Sequence, residues 1–207
     1  MRIITVSRQF GSGGRELGKR LAQRLGWDYY DKEIIETLAE QYGLDGEFIR
    51  HTLANHGWQS VQLTYRNSFS HLQLNCGLRT ELLVRQREVI RAIAEVGNDC
   101  VIVGRDADVI LRDYRPFRVF VCAEEEARLA RCLKFEQKRP ENERLTEKEI
   151  LRDIRRIDRH RAQLREVLTG RRRGDGSTFD LTVNTTRWDI KRLTEALADF
   201  ALSWFEG

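Results

Sequence analysis

Along the chain, short apolar runs alternate with longer stretches in which apolar residues recur every third or fourth position. Arg2 to Val6 (RIITV) is a β-branched run that meets a glycine cluster, Gly11-Ser12-Gly13-Gly14, after which Leu17, Leu21 and Leu25 share one helical face. The order predicted is strand, loop, helix. Gly26 stands where a helix closes through a left-handed residue, Trp27 to Tyr30 predicts a second short strand, and Asp31 predicts the cap of a helix running to about Gln41.

From Gly43 to Gly97 the pattern is mostly helical, interrupted near Asn55 to Gly57 and by a polar aromatic segment, Tyr65 to His71, with no clear period. Cys100 to Val103 (CVIV) and Phe117 to Val121 (FRVFV) are continuous apolar runs, each followed by helix-forming sequence, as expected of interior parallel strands. Arg128 to Gly170 predicts a long, charged, helical tract, and Gly170 to Ser177 (GRRRGDGS) a mobile basic loop. Leu181-Thr182-Val183 is the last predicted strand, before a closing helix from Trp188 to about Phe205. Strands alternating with helices predict an α/β fold with a central parallel sheet covered on both faces.

Composition narrows this picture. A chain of 207 residues with 41% apolar residues and two prolines is expected to form one domain with a sizeable core. No run approaches the roughly 20 apolar residues that span a bilayer, and Ile3 to Val6 is too short for a signal-peptide core, so a cytoplasmic protein without a membrane partner is expected. Cys76, Cys100, Cys122 and Cys132 have no metal-finger spacing and read as reduced structural thiols. The net charge is only +4, but basic residues crowd between Arg128 and Arg173. That tract is either a solvated helical face or an anion-binding surface; nucleic acid is not an expected partner, because no aromatic residues interleave the charge. The apolar end formed by Phe200, Leu202, Trp204 and Phe205 belongs either to the core or to a homodimer patch.

A glycine-rich turn between a first strand and a first helix presents backbone N–H groups and a helix N-terminus to an anion. Gly11, Ser12, Gly13 and Gly14 fit the role of a phosphate cradle, the plainer alternative being a tight turn. The opening ITVSRQFGSGGRELGKRLAQRLGWDYYD resembles that of cytidylate kinases, most closely the family described as cytidylate kinase-like. Val101 to Ala107 (VIVGRDA) is similar to the strand bearing their Gly-Arg-Asp motif, Asp158 to Ala162 (DRHRA) to the Asp-x-x-Arg of their lid helix, and Phe179 to Thr185 (FDLTVNT) to their last strand. The resemblance implies a P-loop NTPase-like three-layer sandwich with a helical insert over about 43–97 and a lid over about 135–176.

The resemblance also implies that Arg105 and Asp106 contact an acceptor nucleotide, and that Asp158 and Arg161 hold its base and phosphate. Arginine pairs bidentately with phosphate, and Arg105 stands just beyond a strand's C-terminal end, where open α/β sheets bind ligands. On sequence alone Asp158 and Arg161 are equally an ion pair at helical spacing.

The chain departs from the ordinary phosphate loop, G-x-x-x-x-G-K-[ST], whose lysine reaches the transferred phosphate and whose hydroxyl ligates magnesium. Aligned on Gly11 and Gly13, the lysine position falls on Gly14 and the hydroxyl position on Glu16. Val103 stands where related kinases often carry an acid before Gly-Arg-Asp. Arg8 and Arg15 flank the glycines and are the candidates to replace the lysine's charge, with Arg161 the third catalytic candidate. Glu16, Asp28, Asp31 and Asp106 are the carboxylates available to magnesium, and the sequence does not choose among them. The expectation is ATP- and magnesium-dependent phosphoryl transfer to a nucleoside monophosphate, with CMP the first guess. A nucleotide-binding regulator without turnover and a kinase for a non-nucleotide acceptor remain the alternatives.

Overall fold

The computed structural model describes residues 1–42 and 76–207; the breaks expected near Asn55 to Gly57 and Tyr65 to His71 lie outside them. Strands β1 (Ile3–Arg8), β2 (Asp28–Tyr30), β3 (Cys100–Val103), β4 (Phe117–Cys122) and β5 (Leu181–Asn184) form a sheet in the order β2-β3-β1-β4-β5. Every pairing is parallel, with Ile4 opposite Val101 on one side of β1 and opposite Phe117 on the other. The α/β sandwich expected from the alternation is the fold observed.

Alternation along the strands divides the core. Ile4, Val6, Val101, Val103, Val119 and Val121 face helices α1 (Gly14–Leu25) and α7 (Ile190–Glu206), where they meet Leu17, Leu21, Leu197 and Ala198. Ile3, Cys100 and Ile102 face helices α2 (Lys32–Tyr42) and α3 (Cys76–Val96), meeting Ile35, Leu38, Val89, Ile90 and Ile93. A parallel sheet buried on both faces requires such near-continuous apolar strands. Trp204 and Phe205 pack on the first of these layers, Trp204 lying 5.1 Å from the Phe117 ring centre, so that part of the closing helix is core; Phe200 is half exposed.

Local signals act as expected at several ends. Gly26 closes α1 at φ 69°, and Asp31 caps α2 by accepting from the amides of Glu33 (3.0 Å) and Ile34 (3.3 Å). The tract from Arg128 to Gly170 is not one helix. It divides into α5 (Glu125–Glu136) and α6 (Glu147–Thr169), because Pro140 lies between them and Thr146 starts α6 with a reciprocal capping box to Glu149. Gly170 to Ser177 is an anchored loop: Gly174, at φ 82°, lies against the Phe120 ring, and the Arg173 side chain is only 12% exposed. Short α4 (Ala107–Ile110) follows β3.

Gly18 sets how closely α1 approaches the sheet, since a Cβ there would stand 2.5 Å from Cγ2 of Val103. The Gly18→Ala variant is therefore expected to lose about 1–3 kcal/mol by overpacking, more than the gain of about 1 kcal/mol in helix propensity. Urea denaturation measures the difference, and adding Val103→Ala is expected to recover part of it.

Candidate phosphate-binding site

The loop between β1 and α1 is braced from several sides. Gln9 donates its amide to the Val121 carbonyl (2.9 Å), and its side-chain oxygen accepts from the Ala123 amide (3.0 Å). The buried Ser12 hydroxyl donates to the Gln9 carbonyl (2.9 Å), while the Thr185 hydroxyl donates to the Ser12 carbonyl (2.6 Å). Gly11 and Gly13 take φ of 76° and 83°, which side-chain-bearing residues adopt only with strain. Gly13 opens α1 with no side-chain cap, and the amides of Gly13, Gly14 and Glu16 find no protein acceptor among the described residues. Such an uncapped first turn offers N–H donors and the positive helix end to an anion.

Asp158, on α6, ties this loop to its surroundings. Its carboxylate accepts from the Phe10 amide (2.9 Å) and from Arg128 of α5 (2.5 Å), and it also receives Arg173 (3.3 Å) and Arg161 (3.6 Å). Arg161 donates to the Arg8 carbonyl at 3.2 Å, and Arg173 donates to the same oxygen. The pair predicted at helical spacing exists, and it faces the glycine loop.

Cations crowd at this end of the sheet. Arg8 is pushed down to about 10 by burial first and by Arg173 next, with Tyr29 and Asp31 opposing. Arg161 is held well below the ordinary guanidinium range by burial, then by Arg8 and Arg173. Burial likewise lowers Arg105, Arg173 and the Lys32 amine, Lys32 feeling both Arg105 and Arg161. Guanidinium groups stay protonated at neutral pH. The depressed values therefore express the cost of keeping mutually repelling charges together, a cost that a bound anion relieves.

The remaining predicted residues divide. Arg105 and Asp106 both adopt positive φ, 57° and 48°. Such strained backbone concentrates at ligand sites. Arg105 pairs with Glu36 of α2, and Asp106 lies 3.5 Å from Arg165, whose other partner is the buried Asp108 at 2.6 Å. Burial and repulsion from Asp108 raise the Asp106 carboxyl. Arg15, expected at the donor phosphates, instead binds Asp31 (2.7 Å) and both oxygens of Glu33 (3.0 and 2.8 Å). The motif's hydroxyl follows its lysine directly, so with Gly13 and Gly14 in register it is Arg15, rather than Glu16, that stands in the hydroxyl position.

The carboxylates considered for magnesium do not converge. Glu16 pairs with Arg20, Asp31 with Arg15, Asp106 with Arg165, and Asp28 accepts from Asn98 and Tyr30. Among the described residues no group of three or more His, Cys, Asp or Glu side chains can hold a metal ion. These residues do not fit a protein-held magnesium. The sequence reading missed Lys32 and Glu36, and it held Arg128, Arg165 and Arg173 only as parts of a basic tract, without a place in the site. Arg173 was hidden by its setting between glycines, which reads as loop, and the others by helical positions indistinguishable from a solvated face.

Replacing Asp158 by Asn is expected to destabilise the fold by roughly 2–4 kcal/mol, because it leaves buried guanidinium groups without their counter-charge. Thermal and urea unfolding measure the loss. Inorganic tripolyphosphate is expected to raise the variant's melting temperature more than it raises the parent's, by supplying the missing negative charge.

Among curated proteins no sequence relative matches the chain. In fold it is similar to an uncharacterised protein from Eubacterium ventriosum, with 22% identity, a TM-score of 0.71 and 98% and 99% of the two chains covered. It also shares the fold of shikimate kinases from Bacteroides thetaiotaomicron (15% identity, TM-score 0.53, 96% and 97% covered) and Acinetobacter baumannii (15% identity, TM-score 0.52, 98% and 94% covered). No helix among the described residues is long and apolar enough to cross a membrane. The sequence pattern of the cytidylate kinase-like family matches residues 3–187, so with its parallel sheet, glycine loop and Gly-Arg-Asp turn the chain belongs to the cytidylate kinase-like family.

Proposed function

We propose that the protein transfers the γ-phosphoryl group of ATP to a small anionic acceptor, with CMP as the acceptor the resemblance favours. The observation that carries this reading is the convergence of Arg8, Lys32, Arg105, Arg161 and Arg173 beside an uncapped helix start and a glycine loop. Cations that repel one another in the absence of ligand are suited to a pair of polyanions. Gly11, Ser12, Gly13 and Gly14 would cradle the donor phosphates through backbone N–H groups, while Arg105 and Arg161 would take the acceptor's phosphate.

With CMP, a phosphate oxygen of the acceptor attacks the γ-phosphorus. The bond from that phosphorus to the β–γ bridging oxygen breaks, and its electron pair leaves on ADP; CDP is the other product. A dianionic phosphate has no proton to surrender, so the step requires no general base. It requires positioning and positive charge, each strong electrostatic contact being worth roughly 3–4 kcal/mol in the transition state. Magnesium, expected from the resemblance, would arrive on the triphosphate, since Glu16, Asp28, Asp31 and Asp106 are engaged elsewhere.

Asp158 is expected to act by positioning. With its carboxylate committed to Phe10, Arg128 and Arg173, it serves the site by holding the arginines rather than by accepting from a base. Glycine in place of the motif's lysine, at Gly14, favours a second reading, a regulator that binds nucleotide without turnover.

Calorimetric titration with ATP and with CMP, with and without magnesium, followed by an ADP-release assay, is expected to show binding of both and CMP-dependent release. The Arg105→Ala, Arg161→Ala double variant is expected to lose CMP affinity by about tenfold to a hundredfold for each charged contact removed. A double variant that binds CMP as the parent does would sink the acceptor assignment. Binding without ADP release would favour the regulator, and release with another acceptor but not with CMP would shift the acceptor class.

A further inference from the structure

Read in the register that places Gly13 at the second glycine of G-x-x-x-x-G-K-[ST], the motif's first glycine falls on Arg8 and its lysine on Gly14. The two residues touch. A Cβ on Gly14 would stand 2.6 Å from Cβ of Arg8 and 3.1 Å from its Cγ. Any side chain at position 14 therefore excludes the arginine as it lies, and the arginine excludes any side chain at 14. Farther along, the Arg8 side chain passes Gly104, which has φ 85° and where a Cβ would overlap Nη1 of Arg8. Arg8 thus lies in a slot walled by two glycines, running from the start of the loop across the ends of β1 and β3 to the turn that carries Arg105.

We propose that the phosphate loop has exchanged its ends: Arg8 supplies the cation for the transferred phosphate, and Gly14 is glycine because the Arg8 side chain occupies the lysine's place. This rests on the reading above that the loop holds a polyphosphate.

The other flanking cation cannot serve. Arg15 is consumed by Asp31 and Glu33, whereas the Arg8 guanidinium makes no hydrogen bond or ion pair with any described residue. Arg173 on the loop after α6 is its strongest charged neighbour, followed by Tyr29 and Asp31, which oppose it, and then by Arg105 on the turn after β3. It therefore stands between the glycine loop and the arginines assigned to the acceptor, which is where a phosphoryl group in transit would lie. A planar guanidinium reaches two phosphate oxygens at once, unlike the lysine it replaces, so Arg8→Lys is not a conservative change here.

The experiment is calorimetric titration of the full chain with ATP and with inorganic tripolyphosphate, on the parent and on Arg8→Met, Gly14→Lys, Arg8→Gly and the double variant Arg8→Gly, Gly14→Lys, with melting temperatures alongside. Arg8→Met keeps the bulk and removes the charge. It is expected to weaken tripolyphosphate binding by about tenfold to a hundredfold, the loss of one charged contact, while its melting temperature holds or rises because an unpaired buried charge is gone. Gly14→Lys and Arg8→Gly are each expected to weaken binding, and the double variant to recover to within about tenfold of the parent, since a lysine at 14 is then opposed only by the milder 3.2 Å approach to Cβ of Val121. Arg8→Met binding as tightly as the parent, or a double variant no better than the worse single one, would overturn the exchange while leaving the polyphosphate reading intact. A parent that binds neither ATP nor tripolyphosphate would overturn that reading and the role of Arg8 with it.

Discussion

The Asp158 carboxylate holds together charges that would otherwise push the site apart. It accepts from the backbone of the glycine loop at Phe10, from Arg128 on α5 and from Arg173 on the loop after α6, and it has Arg161 within 3.6 Å. Each of those groups comes from a different part of the chain, and Arg161 and Arg173, which both donate to the Arg8 carbonyl, are held side by side with a negative charge to balance them. A single carboxylate cannot neutralise so many guanidinium groups. The excess positive charge is what an anion finds on arrival, and burial keeps it strong, because attraction to a ligand grows as the surrounding dielectric falls. Stability and binding are opposed here: the arrangement that lowers Arg8 and Arg161 from their ordinary values is the one that prepares the cleft.

How much of this is legible in the sequence depends on whether a feature is encoded locally. The strands at Cys100–Val103 and Phe117–Cys122 are continuous apolar runs because both faces of the sheet are covered, and that pattern reads directly. Gly26 and Asp31 act through neighbours a few residues away, so their roles are also readable. Arg128 to Gly170 reads as helical, which it mostly is, but the break in it is hard to see because charge at helical spacing continues through it and Pro140 and the Thr146 capping box are its marks. Arg173 misreads because its role is set by Asp158, fifteen positions away, and by the carbonyl of Arg8, at the other end of the chain. The Asp158 and Arg161 pair was visible, but its target, the glycine loop, was not.

The same distinction separates Arg8 from Arg15. In sequence the two arginines look equivalent, one on each side of the glycines. In space Arg15 sits on the first turn of α1, and its guanidinium donates to Asp31 and Glu33 at the start of α2. Arg8 ends β1, and its side chain runs past two residues without one, Gly14 and Gly104. Sequence shows two charges, and only the packing shows that one is neutralised.

The pairing that neutralises Arg15 also withdraws Asp31 from the carboxylates open to a metal. Asp31 is 1% exposed and its oxygens accept from Arg15, from the Tyr29 hydroxyl at 3.2 Å and from the amides of Glu33 and Ile34. With its acceptor capacity so committed, it cannot also coordinate a hard cation. Arg15, in the motif's hydroxyl position, is its partner, so the hydroxyl and the acid next to it have been turned together into a brace between α1 and α2. A loop that draws its phosphate cation from Arg8, as proposed, and carries a structural arginine in the hydroxyl position adds positive charge fixed in the protein to whatever the metal on the nucleotide supplies. Fixed guanidinium groups need no reorganisation when charge shifts between donor and acceptor, which is the condition under which electrostatic stabilisation of phosphoryl transfer is greatest.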